Sequence, residues 1–478
     1  MPVLSPLFPS SKLTALALAG AALVFSGCQK TPKQEAKEGL TELKIWVMPN
    51  TPKPQEDMDS LLTGFRNGHP GVKVTVSVLD WSSAWTKITT ASIAGDGPDV
   101  VQLGTTWCSS LTDLGALLPI DDVAGEVDAS SVFLSNTWEA IKPRASEHVT
   151  SLPWFLDVRP MYYRSDVFAK AKVDPKAIEN WSDYVAALEK IKAAKIKHNG
   201  ETVAPVGFPG KNDWNVVHNF APWIWGTGGD FLDPTGTKCV LDSKESMEGI
   251  AFFLGLVRKG LNPKTNLEKN TAQISSEFDA GRLASLFETT TKNIYLNLPP
   301  EQGGIGNSPV ARNYGVMVPP AGPKHRTVFM GGSQLAIFKS TAQPELAKEL
   351  LKYLTVDKDQ QLGYARVSGF LPALKTAFDD PWFTQDEKRA VFKELVQFGR
   401  IYPSVPYWGE METSILTKGL GNLFDIAAEV NGPYSEAAVK KEVDIMVREI
   451  NSVIDQHFQN HPEHRALMES RVASVPAE

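Results

Sequence analysis

From Glu42 onward the chain alternates apolar and polar residues. Leu43, Ile45 and Val47 share one face, and a period of two over this length predicts a strand. Met58, Leu61, Leu62 and Phe65 follow at helical spacing, and Gly68, Pro70 and Gly71 stop that helix. Val72, Val74, Val76 and Val78 alternate as a second strand. A second helix carries Trp85, Ile88 and Ile93 and ends at Gly95-Asp96-Gly97-Pro98, and Asp99 to Leu103 is a short apolar third strand. Strands separated by single helices predict a mainly parallel sheet joined by right-handed crossovers. In such sheets ligands bind beyond the carboxyl ends of the strands. Asp80-Trp81 and Gly104-Thr105-Thr106-Trp107 occupy those ends.

The pattern restarts at Ser151, where Leu152 to Val158 and then Met161-Tyr162-Tyr163 read as strand. Ser182 is placed to cap a helix carrying Val185, Leu188 and Ile191. Asp242 and Glu245 have capping-box spacing before a helix with Met247, Ile250, Leu254 and Val257, closed by Gly260. Tyr314 to Val318 and Leu335 to Phe338 read as strands. Pro344 opens a helix with Leu346, Ala347, Leu350, Leu351 and Leu354. Further helices are expected over Gln385 to Phe398 and Ser435 to Phe458, and the polar stretch from Gln459 to Glu478 reads as a frayed tail.

The N-terminal region has a different pattern. Leu13 to Phe25 is a run of small and apolar residues preceded by one charge, Lys12, and followed by Ser26-Gly27-Cys28. The run is too short to span a bilayer well and reads as a cleavable export signal. Small residues directly before Cys28 resemble a bacterial lipobox, which implies lipid on Cys28 and a membrane anchor without a spanning helix. Gln29 to Gly39 is charged and aperiodic, as a flexible tether is. The remainder is long for one core and natural for two lobes.

The net charge is −7, and no basic cluster with interleaved aromatics occurs, so nucleic acid is not expected as a partner. Three cysteines exclude a disulfide-dense fold; with Cys28 acylated, Cys108 and Cys239 are left either to pair or to stay free. Twelve tryptophans are many, and flat side chains of that size belong in a core or at an interface.

The order of segments resembles the extracellular solute-binding proteins of ABC importers, of the carbohydrate-type, maltose-binding-like family 1. The matching stretches are AGDGPDVVQLGTTWCSSLTDLGALL (94–118), LPWFLDVRPMYYRSDVFAKAKVDP (152–175), the Trp-Ser-Asp helix start at Trp181, WIWGTGGDFLD (223–233), FDAGRLASLFE (278–288), GGSQLAIFKS (331–340) and SGFLPA (368–373). The resemblance implies an α/β fold of two lobes, each a mainly parallel sheet flanked by helices, joined by crossing hinge strands around a ligand cleft. It divides the chain into a lipoprotein signal (1–27), a tether (28–40), an N-terminal lobe (41–155), the first part of the C-terminal lobe (156–288), a return to the N-terminal lobe (289–340), the second part of the C-terminal lobe (341–460) and a tail (461–478). It also implies a membrane-anchored monomer facing the periplasm or cell exterior, which captures a sugar or related solute and delivers it to ABC permease subunits.

A sugar site needs aromatic platforms for C–H faces and fixed donors and acceptors for hydroxyls. Trp81, Trp107, Trp154, Trp214, Trp225 and Trp408, read as loop-borne, supply platforms, while Trp46 and Trp85 sit in regular elements as core. Asp157, Arg159, Glu288, Gln334 and Glu410 supply polar contacts. The resemblance adds Thr106, Gly228, Gly229, Asp230, Gly332 and Ser333. Arg159, Lys292 and Arg366 could bind an acidic sugar, but a solvated or salt-bridged charge is the better reading of each.

No metalloprotease, Walker or nucleophile-elbow motif occurs, and no cofactor is expected. His457 and His461 have helical spacing with His464 nearby, but Pro462 follows at once, so no metal site is assigned there. A secreted glycosidase would need two cleft carboxylates, for which Asp157, Glu288 and Glu410 are candidates by type without a pattern marking any pair. A sensor or adhesin of the same fold is a further alternative.

Overall fold

In a computed structural model, residues 40–211, 213 and 215–473 are described. The expectations for the signal, the tether and Cys28, and that for Trp214, lie outside the described residues.

The alternating segments form the centre of one sheet. Its path runs from Leu371–Pro372 through Ser151–Val158, Val328–Ile337, Val100–Gly104 and Thr41–Val47 to Val72–Val78. Thr41–Val47 pairs in parallel with both Val72–Val78 and Val100–Gly104. Val328–Ile337 runs antiparallel to its two neighbours, Val100–Gly104 and Ser151–Val158. The sheet is therefore mixed, because a strand arriving from elsewhere in the chain is inserted between crossover-connected ones. One face packs Leu43, Ile45, Leu152, Leu335 and Leu350; the other packs Val101, Leu103, Ile88 and Phe338.

A second sheet joins Ser285–Phe287, Met161–Arg164 and Tyr314–Met317, all antiparallel. Among the described residues, parallel pairing in this region is confined to isolated bridges, Asn180 with Ala321, Ala204 with Leu283 and Gly207 with Leu286. Met161 faces a separate helical core built from Leu188, Phe220, Trp223, Phe253, Phe424 and Ile450. Its neighbour Tyr162 points to the other face, towards the apolar cluster of the first sheet.

The helix Trp181–Ala194 is capped by Asn180 and Asp183, not by Ser182. Ser243, not Asp242, caps Lys244–Arg258. The chain passes between the cores at 158–161, at 318–328 and at 398–402, where Gly399–Arg400 lies parallel to Val328–Phe329. Pro344–Thr355 and Phe392 pack with the first sheet. The chain thus re-enters the helical core only at Tyr402, and the expected return at 341 is corrected. The reason is the apolar face of Pro344–Thr355: Leu350, Leu351 and Leu354 are fully buried against that sheet.

The expected tail is also corrected. Pro462–Ala473 is a helix whose Met468 is buried in the second core and whose Arg471 donates to Pro143 O at 2.7 Å. Cys108 and Cys239 are free and buried in separate cores. No described helix is long and apolar enough to cross a membrane.

Candidate functional site

The first sheet brings several strand ends to one rim. Thr41–Val47 ends at Met48-Pro49-Asn50, Val72–Val78 at Asp80-Trp81, Val100–Gly104 at Thr105-Thr106-Trp107, and Ser151–Val158 at Arg159. Val328–Ile337 enters the rim at Met330 to Ser333, opposite Phe155 to Val158. Gly332 has φ +135°, and a Cβ there would meet Phe155 O, so these strands approach closely only because no side chain intervenes.

Asp80 caps the helix Trp81–Ala94 by accepting from the Ser82 N–H at 2.9 Å. This starts the helix at Trp81 and leaves that indole 39% exposed at the rim. Trp107 packs edge-on against Trp81 with ring centroids 5.5 Å apart, and Trp85 supports Trp107 from behind at 5.6 Å. Below them, buried Gln102 accepts from Met48 N–H at 2.9 Å and Asn50 Nδ2 at 3.0 Å, and donates to Ser333 Oγ at 2.8 Å. This ties the rim segments of three strands together.

Beside this rim lies a buried polar group. Arg159 is 3.8 Å from Asp157, donates to Asn215 Oδ1 at 2.5 Å and to Asn219 Oδ1 at 3.4 Å, and stacks on Phe329 at 5.2 Å. Burial pushes the Asp157 carboxyl up, and Arg159 opposes the shift. Burial also pushes Glu288 up; its Oε1 accepts the Thr289 N–H at 3.0 Å, with Lys292 and Arg159 opposing. His218 stacks on Phe329 at 4.1 Å, meets Tyr402 Oη at 2.9 Å and lies 3.7 Å from Glu412. Burial and the Arg159 charge hold His218 well below its ordinary value, so it is neutral at pH 7. Burial raises Glu412 to about 7, with the polar groups of Trp408 and Thr106 opposing.

Asp157 Oδ1, Arg159 Nε and Asn219 Nδ2 are buried without hydrogen-bond partners. Buried polar atoms are costly unless satisfied, so a set of orphans in one place marks a site built for something else to complete it. A cavity of about 30 Å³ adjoins them, lined by Arg159, His218, Asn219, Pro222, Phe287 and Phe329.

The structure thus gathers Trp81, Thr106, Trp107, Asp157, Arg159, Glu288 and Ser333 around the strand ends. It separates others. Trp154 is in a strand, 1% exposed, stacked on Tyr364 at 4.3 Å. Trp225 is in the helix Val216–Gly226, also 1% exposed, donating to Asp230 at 3.1 Å. Neither is loop-borne as expected; both pack as core. Trp408 is likewise buried, in a short helix, with its face on Tyr402 at 4.2 Å. Asp230 is paired to Arg400, and Gly228-Gly229 form the turn that seats Ser246. Gln334 is fully buried beneath the sheet, accepting from Ser151 Oγ. Glu410 is exposed. Lys292 and Arg366 are paired with Asp279 and Asp380, which leaves neither free for an acidic ligand. Asn215, His218, Asn219 and Glu412 were not anticipated. Their partners are distant in sequence, and no local motif marks them.

The sequence profile of the bacterial extracellular solute-binding protein family matches residues 49–361. A binding protein of Brucella abortus is 24% identical over 405 residues, covering 84% of this chain and 92% of the relative. A diacetylchitobiose-binding protein of Streptomyces coelicolor is 24% identical over 387 residues, covering 75% of this chain and 81% of its own. Among solved structures, the sugar-binding protein MalE of Xanthomonas citri superposes with a TM-score of 0.72 at 21% identity, covering 88% of this chain and 99% of that one.

Proposed function

The chain belongs to the bacterial extracellular solute-binding protein family, whose members bind rather than transform their solutes, and from this premise we propose that it captures a neutral oligosaccharide and presents it to an ABC importer. The observation that carries the ligand class is the pairing of an exposed indole edge, Trp81 on Trp107, with orphaned donors and acceptors on Asp157, Arg159 and Asn219. Indoles cover sugar C–H faces, and a mixed donor and acceptor set answers hydroxyls, which are both. The Streptomyces relative binds diacetylchitobiose, a ligand of this kind. The nearby cations are already paired, which argues for a neutral ligand.

The cavity beside Arg159 has room for about one water, far less than a sugar ring. Ligand entry therefore requires the two cores to part, and the crossings near 159, 328 and 400 are where the backbone would turn. Contacts such as Ser110 Oγ to Pro406 O at 2.6 Å and Thr290 Oγ1 to Gly369 O at 2.8 Å would break on opening and reform around ligand. We place the membrane anchor at Cys28, with the folded body held as a monomer outside the cytoplasmic membrane.

A thermal-shift screen against neutral oligosaccharides tests the ligand class. A ligand at 100 times its Kd stabilises by about 2.7 kcal/mol. With that ligand, Trp81→Ala and Trp107→Ala are each expected to weaken binding about thirtyfold, about 2 kcal/mol, in calorimetry, with the fold retained. No shift with any oligosaccharide, or hydrolysis of the ligand lost in Asp157→Ala, would overturn the reading, the latter in favour of a glycosidase. For the anchor, Cys28→Ala is expected to move the protein from the membrane to the soluble fraction. An unchanged distribution and unchanged mature mass would remove the lipid.

A further inference from the structure

The C-terminal region holds a side-chain cluster that the cleft does not use. The helix Glu436–Asn460 places His457 one turn before its end, and His461 follows as its last capping residue. Pro462 cannot extend that helix, because it lacks an N–H, but it suits the first turn of a new one, Pro462–Ala473. The break turns the second helix back over the first. Instead of scattering the histidines, Pro462 brings His464 onto the other two. The ring centroids lie 5.0 Å apart for His457–His461, 5.3 Å for His457–His464 and 4.9 Å for His461–His464, the last pair within 6° of parallel.

A fourth group comes from the other end of the fold. Asp113 is the last residue of the helix Cys108–Asp113, whose Cys108 and Leu111 pack on the first sheet. His464 Nδ1 is 3.2 Å from His457 Nε2 and 3.4 Å from Asp113 Oδ1. Ligand atoms of Asp113, His457 and His461 all lie within 4.8 Å of one another. Donors about 2.0–2.1 Å from a tetrahedral zinc stand roughly 3.4 Å from one another, so the two short separations are already those of a coordination polyhedron. Glu463 Oε1, 3.7 Å from His464 Nε2, closes the solvent side.

A further observation points to a cation. Asp113 Oδ1 is buried and has no hydrogen-bond partner. A hydrogen bond between His457 and His464 would use one N–H and one lone pair and leave that oxygen unanswered; a metal would satisfy all of them.

We propose that Asp113, His457, His461 and His464 form a binding site for a divalent transition metal of the zinc class. The donor set of imidazoles and one carboxylate suits zinc and lacks the thiolates that softer ions prefer. The site has a mechanical consequence. Its carboxylate rides on the first sheet, whereas its imidazoles ride on helices anchored in the second core by Ile454, Phe458 and Met468. Bound metal therefore ties the two cores together and favours the arrangement in which they are apposed.

The test uses the purified, chelator-treated protein, without a histidine tag. Calorimetry with zinc chloride should give one ion per chain. His457→Ala and His464→Ala should each weaken binding at least thirtyfold, and Asp113→Asn about tenfold, in the range by which shells of metal sites act. His148→Ala, an exposed histidine paired to Asp121 elsewhere, should leave it unchanged. Cobalt(II) should give the intense visible spectrum of a tetrahedral site in the wild type only. Circular dichroism checks folding, and His464→Gln replaces any alanine variant that fails to fold. No zinc binding by the wild type, equal binding by the cluster variants, or an octahedral cobalt spectrum would each overturn the site.

Discussion

Arg159→Ala is expected to destabilise the protein by about 3–5 kcal/mol, as breaking a buried ion pair does, and to abolish capture of solute. The guanidinium is buried and answers three groups: Asp157 at 3.8 Å, Asn215 at 2.5 Å and Asn219 at 3.4 Å. Removing it leaves the Asp157 carboxylate buried without its cation. Burial already pushes that carboxyl up, and Arg159 is what opposes the shift, so in the variant Asp157 should take up a proton more readily. Protonation relieves part of the cost, and the loss should therefore be smaller at pH 5 than at pH 8. The double variant Asp157→Ala with Arg159→Ala should lose less than the two single losses added, because the stranded charge is gone. Arg159→Lys keeps the charge but cannot fork to two asparagines, and should fall between. Urea unfolding at the two pH values measures all four. Wild-type stability in Arg159→Ala would mean that the site is more hydrated than its burial indicates.

The strand ends of the first sheet were legible because alternation is a local signal. Val72 to Val78 and Asp99 to Leu103 declare themselves in a few residues, and the rim positions of Trp81 and Trp107 follow from where each run stops. Asp157 and Arg159 were singled out as polar candidates at a strand end, where a sugar site needs donors and acceptors, although nothing in their immediate sequence marks them as a pair. The inserted strand Val328–Ile337 was legible as a strand but not as antiparallel, because direction depends on where the chain has been between.

The tryptophans show what a one-dimensional reading misses. Trp154 lies in an apolar run, Leu152 to Leu156, and Trp107 follows Thr105-Thr106, yet both were read as loop-borne platforms. One falls on the buried face of a strand against Tyr364; the other begins a helix at the rim. Tertiary packing settles which indole is covered. Pro462 was read as ending the histidine spacing, when its effect is to fold one helix back on another. Glu412 was missed for a backbone reason. Met411–Leu416 is a π-helical turn, wider than an α-helical one, and it rotates Glu412 into the buried group while Glu410 faces solvent. No residue pattern signals such a turn.

That rotation makes Glu412 the source of a pH-dependent cost. Burial raises its folded-state value from 4.5 to about 7. Below 4.5 the carboxyl is protonated in both states and contributes nothing. Between 4.5 and about 7 the folded state holds the proton and the unfolded state has released it, so stability falls as pH rises through this window. Above about 7 both states are ionised, and the penalty levels off on the order of 3 kcal/mol, at 1.36 kcal/mol per pKa unit. Glu412→Gln keeps the shape and removes the charge. It is expected to match the wild type near pH 4.5 and to exceed it by that amount at pH 8. His218, 3.7 Å away, does not reverse the sign, because burial and Arg159 keep it neutral over the same range. Thermal unfolding of both proteins from pH 4.5 to 8 gives the difference directly, and titrations of Asp157 and Glu288, common to both, cancel. A difference that is constant with pH would show that Glu412 is ionised throughout, held by Thr106 and Trp408. A difference that opens only above pH 5 would identify Glu412 as a strained carboxyl beside the cleft, whose change of charge on solute binding or lobe opening would make capture pH-dependent in the same window.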